Sequence, residues 1–192
     1  MASAYETVRD AVATRLSPGA FAHSERVAET AAALAGHYGL DAEEARLAGL
    51  LHDWHRELTG NELIARAIAL GIEITDADED VPYLLHGPVA ARELPAVFPG
   101  LSASVLEAIA SHTYGAVPMS PLAMAVYVAD VIEPGREYRG VERIREDVGE
   151  ATLSELFGDA YAASLKHIIK RRRPIHPSTL EVWNHVVVGE RA

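Results

Sequence analysis

The chain has 192 residues, 49 % hydrophobic and 23 % charged, the proportions of a globular protein long enough to build one domain around a sizeable core. Its net charge of −11 argues against a nucleic-acid polymer as partner, and the lack of cysteine excludes disulfides and thiolate metal sites. No apolar run approaches the about 18 residues of a membrane span, and the start of the chain does not read as a signal peptide, so the expected location is the cytoplasm with no membrane partner.

The pattern is helical nearly throughout. Residues 5–16 predict a short amphipathic helix ended by Ser17-Pro18-Gly19, and 22–38 an Ala-rich helix closed by Gly39. Asp41 is the expected N-cap of a helix over 42–56, with Glu44 completing a capping box. There Leu47, Leu50, Leu51 and Trp54 follow the i, i+3, i+4, i+7 rule. A helix from Thr59 or Asn61 runs to about 70 and stops at Gly71. The acidic stretch 72–83 reads as a loop. Gly87-Pro88 opens a helix to about 94, and Pro95 and Pro99-Gly100 break the chain. Ser102 caps a helix to about 112, 113–121 is a loop, and Pro121 starts a helix to Glu133. Residues 141–147 and 152–172 are helical, and a last helix over 178–188 is capped by Ser178. No strand or repeat stands out. The expected fold is all-α, one domain over 1–192 built as a helical bundle with short extra C-terminal helices. Apolar positions on 5–16 or 153–169 are compatible with a homodimer.

Six polar residues interrupt the apolar pattern. His23 lies near the start of its helix, and His52 and Asp53 lie at the end of theirs in LLHDWHRE. His86 precedes Gly-Pro, His112 closes a helix, and Asp130 sits among Val128, Val131 and Ile132. Taken singly, a histidine on an apolar face is usually a satisfied core residue, and Asp130 could be a buried hydrogen-bond partner. Taken together they form a donor set. Imidazole and carboxylate suit iron, manganese, cobalt or zinc, and ligands brought from several helices into a bundle interior are a standard way to hold such ions. Adjacent residues on a helix point about 100° apart, so His52 and Asp53 flank a metal from one edge, or Asp53 bridges two. His37, His55, His167 and His185 read as surface or packing residues. The run KRRR at 170–173 is either a solvated helix end that complements the macrodipole or a phosphate clamp.

The order His, His-Asp, His, His, Asp resembles the HD-domain superfamily of metal-dependent phosphohydrolases. The segments AHSERVAETAAALA, LAGLLHDWHREL, LLHGPVAA, AIASHTYGAVPMSPL, YVADVIEPGREYRGVE and RRRPIHPSTLEVWN resemble, more narrowly, the bacterial HD-domain symmetrical bis(5′-nucleosyl)-tetraphosphatases, over about residues 20–185. The resemblance implies cleavage of diadenosine tetraphosphate into two ADP at an iron centre. It implies His23, His52, Asp53 and Asp130 as ligands of the main metal. His86 and His112 would complete a second metal with Asp53 or contact phosphate. Asp53, His86 and His112 would be the catalytic groups. Arg56, His86, His112 and Arg136, with Arg173, Ile175 and His176 of the tail, would contact a dinucleoside polyphosphate or an ADP-like nucleotide. Residues 170–192 would form a segment closing over the nucleotide. Arg56 stands where the family usually has lysine, which exchanges a point charge for a planar fork. Two family cations are missing, at Ala20 and Ala116, and Arg26 or Arg139 are the candidates to replace them. Their absence keeps a smaller nucleotide open as the substrate of an HD nucleotidase or pyrophosphohydrolase. A nucleotide-binding module with a structural metal is the reading from another class.

Overall fold

A computed structural model describes residues 4–189. They form eleven α-helices, with no strand among the described residues. In order these are α1 (Ala4–Arg15), α2 (Pro18–Tyr38), α3 (Ala42–Leu51), α4 (Gly60–Ala69), α5 (Asp76–Asp80), α6 (His86–Val97), α7 (Ala103–Ser111), α8 (Pro121–Ile132), α9 (Val141–Glu146), α10 (Leu153–Lys170) and α11 (Pro177–Gly189). A 3-10 turn over Pro82–Leu85 leads into α6.

The central element is α8. Leu122, Ala123, Ala125, Val126, Tyr127, Val128, Ala129 and Ile132 are all buried, so the helix is apolar almost all round, as an element wrapped by neighbours must be. It packs against α2, α3, α7, α9 and α10. The small residues of α2 let α3 come close. A Cβ at Gly49 would lie 2.9 Å from Ala28 Cα, closer than real atoms approach, so the two backbones nearly touch there. A second close approach joins α6 to α7, where a Cβ at Gly87 would lie 2.8 Å from the Ile109 carbonyl oxygen. A smaller apolar cluster of Leu63, Ala67, Leu85 and Val89 holds α4 against the 3-10 turn and α6.

The helix ends follow their chemistry, with several corrections to the sequence expectations. Pro18 occupies the first turn of α2, so that helix begins four residues earlier than 22, and His23 lies in its second turn. Asp41 caps α3 through the backbone N–H groups of Glu43 and Glu44. That helix stops at Leu51. Residues 52–57 continue as tight turns closed by bonds such as Trp54 N–H to Leu51 O at 3.0 Å and Arg56 N–H to Asp53 O at 2.9 Å. Thr59 opens α4 with a full capping box to Glu62. The stretch 72–83 is not all loop, because Thr75 and Asp78 form another capping box and fold α5. Pro95 does not break α6, which continues to Val97. At the end of α10 the chain turns through Arg172, whose φ of 52° is left-handed, and α11 begins at Pro177 rather than behind a Ser178 cap. No helix among the described residues is long and apolar enough to cross a membrane.

Candidate metal centre and its cavity

The bundle brings the six interrupting residues to one point. His23 comes from α2, His52 and Asp53 from the turn after α3, His86 from the first residue of α6, His112 from the end of α7, and Asp130 from α8. Asp53 is fully buried and stands between two groups of imidazoles. Its Oδ2 lies 3.6 Å from His23 Nε2 and 3.3 Å from His52 Nε2. Its Oδ1 lies 3.1 Å from His86 Nε2 and 3.8 Å from His112 Nε2. Asp130 Oδ1 closes the first group, 3.0 Å from His23 Nε2 and 3.9 Å from His52 Nε2.

Ring orientation is the informative feature. Each Nδ1 faces an oxygen that can only accept: Glu133 Oε1 at 3.1 Å for His23, the Gly49 carbonyl at 2.7 Å for His52, the Tyr83 carbonyl at 2.6 Å for His86, and the Ile109 carbonyl at 2.7 Å for His112. Nδ1 must therefore carry the proton in all four rings, which leaves each Nε2 lone pair turned inward. The buried Nε2 atoms of His23 and His52 have no hydrogen-bond partner. Those of His86 and His112 face each other at 2.9 Å, two lone pairs with nothing between them to share. This fits a cation at their centre, and Nδ1–H bonded to a carbonyl or carboxylate is the usual outer contact of a metal-bound histidine. Two triplets, His23/His52/Asp130 and His52/Asp53/His112, each bring three donor atoms within 4.8 Å of one another.

Protonation follows the geometry. Burial pushes Asp53 up, but the His52 charge and the imidazoles of His112, His52 and His86 outweigh it and hold the carboxyl well below its usual range. Asp130 is likewise held down by His23, His52 and Arg136 against its burial. His112 is pushed down to about 4, chiefly by burial. Burial lowers His52, but Asp53 and Asp130 outweigh it and the net direction is up.

An outer ring of charges steadies the ligands. Glu133, 2 % exposed, receives Arg26 Nε at 2.5 Å and the Gly135 N–H at 2.6 Å besides the His23 ring. Arg136 donates to both the carbonyl and the carboxylate of Asp130. Arg56 Nη1 lies 3.1 Å from Asp53 Oδ2. The sequence reading missed Glu133, and it counted Arg26 as a replacement cation when that guanidinium is committed to Glu133. The signal for Glu133 is slight, an acid three residues after Asp130.

A cavity of about 610 Å3 opens beside this cluster, and His86, His112, Asp130, Arg56, Arg136 and Arg173 all line it, with Tyr83, Tyr127, Tyr138 and Tyr161. Ile175 and His176 are not among its lining residues. His176 is instead buried behind it, stacked on Tyr114 at 4.3 Å with Nε2 3.4 Å from Asp78, and this tethers the C-terminal segment to α5.

The model of the HD domain matches residues 20–135. The chain belongs to the HD-domain family. It shares its fold with a crystal structure from Clostridium acetobutylicum described as a predicted HD superfamily hydrolase involved in NAD metabolism. That likeness has a TM-score of 0.90 at 34 % identity, over 98 % of this chain and 99 % of the other. Proteins named symmetrical bis(5′-nucleosyl)-tetraphosphatase are similar along nearly their whole length. The one from Halalkalibacterium halodurans is 32 % identical over 94 % of this chain and 95 % of its own, and the one from Bacillus subtilis 29 % over 93 % and 95 %. This HD-domain protein is a metal-dependent phosphohydrolase.

Proposed function

We propose that the protein hydrolyses diadenosine tetraphosphate symmetrically, to two ADP, with iron as the resident metal. The observation that carries the reading is Asp53, held between two groups of inward-facing imidazoles, next to His86, His112 and Asp130, which line a cavity with three arginines and four tyrosines. The relatives named for this reaction support the substrate.

When bound, a divalent metal supplies Lewis-acid charge and a nucleophile at neutral pH. His23, His52, Asp53 and Asp130 would hold it, and His86 and His112 would complete a second ion's site with Asp53 or meet a phosphate directly. Asp53, between the two groups of imidazoles, is the carboxylate that would take a proton from the attacking water. Arg56 and Arg136 stand between the carboxylates and the cavity. They can release part of their grip on Asp53 and Asp130 to neutralise phosphoryl oxygens as charge redistributes. The tyrosines give the nucleoside apolar faces to lie against. Arg173, at the turn after α10, closes the cavity from the C-terminal side and fits the role of residues 170–192 as a nucleotide-closing segment.

Product analysis tests this. Anaerobically purified, iron-loaded protein is incubated with diadenosine tetraphosphate, and the nucleotides are separated by ion exchange. ADP as the sole product is expected. ATP plus AMP would move the attacked phosphorus off centre. The second reading, a smaller nucleotide substrate, draws on Ala20 and Ala116 and on the commitment of Arg26 to Glu133. A mononucleotide preferred over the dinucleotide in a substrate panel would select it.

A further inference from the structure

Beyond Tyr138 the cavity wall continues into a second pocket of about 300 Å3, with Tyr138, Ala163 and His167 lining both. Its charge is opposite to that of the molecule. Arg139, Arg143, Lys166 and Lys170 line it against one carboxylate, Asp159, in a chain of net charge −11. Lys166 and Lys170 are the only lysines in the sequence, and they stand one turn apart on α10, on the same face of the helix. Asp159 lies 3.7 Å from Arg143, which also lies 3.9 Å from Asp147. Arg139, Lys166 and Lys170 have no ion-pair partner among the described residues. A basic helix end accounts for Lys170 and the arginines after it. It does not account for Arg139, which reaches the same hollow from the loop before α9. Cations gathered from two elements repel one another, and an anion among them relieves that repulsion.

We propose that this pocket is a phosphate-binding subsite for the half of the dinucleoside polyphosphate that lies outside the main cavity. The inference rests on the proposed function and deepens it. A cut at the centre of a symmetrical substrate leaves two equally anionic halves, and each half needs cations of its own. The loop between α8 and α9 carries Arg136 into the cavity and Arg139 into the second pocket, so a polyphosphate crossing Tyr138 passes from one cation to the next.

The test is Lys166→Glu in the metal-loaded full chain. The side chain is exposed, so the fold tolerates the change. KM for diadenosine tetraphosphate is expected to rise about tenfold, the loss of one charge-assisted contact, with kcat little changed. Bis(p-nitrophenyl) phosphate has no distal half, and its turnover reports on the metal centre. Equal losses on both substrates, or no loss on either, would overturn the proposal. Calorimetric titration with inorganic tripolyphosphate is the second arm, and its affinity is expected to fall with the charge reversal. A fall there with KM unchanged marks a site for free anions and overturns the assignment to substrate. Should the wild type fail to cleave the dinucleotide at all, the proposed function falls, and an unchanged tripolyphosphate affinity would then overturn the anion site as well.

Discussion

Two histidine clusters grow from the same short turn, and their chemistry is opposite. His52 and Asp53 belong to the candidate metal centre. His55, also buried, belongs to a chain of charges in which every group is answered. Arg15 stacks on Trp54 and donates to His55 Nδ1 at 2.6 Å, His55 Nε2–H donates to Glu93 at 2.8 Å, and Glu93 also takes Arg66 at 2.8 Å. In this ring the proton sits on Nε2, whereas in the four histidines around Asp53 it sits on Nδ1 and Nε2 is bare. Burial of a titratable group therefore says little about its task. What separates the two clusters is whether the buried lone pairs already have partners.

That contrast can be broken by experiment, beginning with its largest effect. Asp53→Ala removes the oxygen pair both groups of histidines share, and metal content and turnover are expected to vanish together. Retained activity would mean the cluster is not the reaction centre. Glu133→Gln keeps the shape but takes the charge from behind His23, and metal affinity should drop about tenfold or more with helicity unchanged. An unaltered affinity would show that His23 needs no orienting partner. Glu93→Ala acts on the closed cluster, and there the loss should be in stability, about 1–2 kcal/mol by urea unfolding once solvent exposure of the pair is discounted, with metal content preserved. Loss of metal instead would merge the two clusters into one.

The smallest effect is in pH. Burial first, then the Arg15 charge, pushes His55 down to about 4, so the folded protein keeps it neutral while the unfolded chain takes up a proton below about 6.5. Its contribution to stability is present in full above that value and is lost as pH falls through about 4. The stability difference between metal-free wild type and His55→Gln should therefore shrink from pH 7 to pH 4. A difference flat in pH would show that His55 titrates alike in both states.

The sequence made the ligand cluster legible because histidine and aspartate stand out against alanine, valine and leucine at helical spacing, and because their order resembles a known family. Helix boundaries were legible where Pro, Gly, Ser or Thr mark them. The misses have physical causes. Glu133 sits in a Pro-Gly turn, where an acid looks solvated, and only folding brings it to 3.1 Å from a ring 110 residues away. Arg26 looks like a free cation until that same carboxylate captures it. The box Thr75–Asp78 was there to be read, but the acids around it masked α5. The partners of His55 lie 38 and 40 residues from it, beyond the reach of any periodicity.

Gly49 and Gly87 work as spacers between the helices that carry His23 and His52, and between those that carry His86 and His112. Alanine at either position would press on backbone, and at Gly87 also on the His112 ring, 3.0 Å from where its methyl would be. One methyl group could thus silence the centre while all six donors stay in place and no charge changes. A chain that spells out the six letters is not thereby an active enzyme. Telling working members of such a family from dead ones means checking the uncharged contacts between ligand-bearing helices as closely as the ligands themselves.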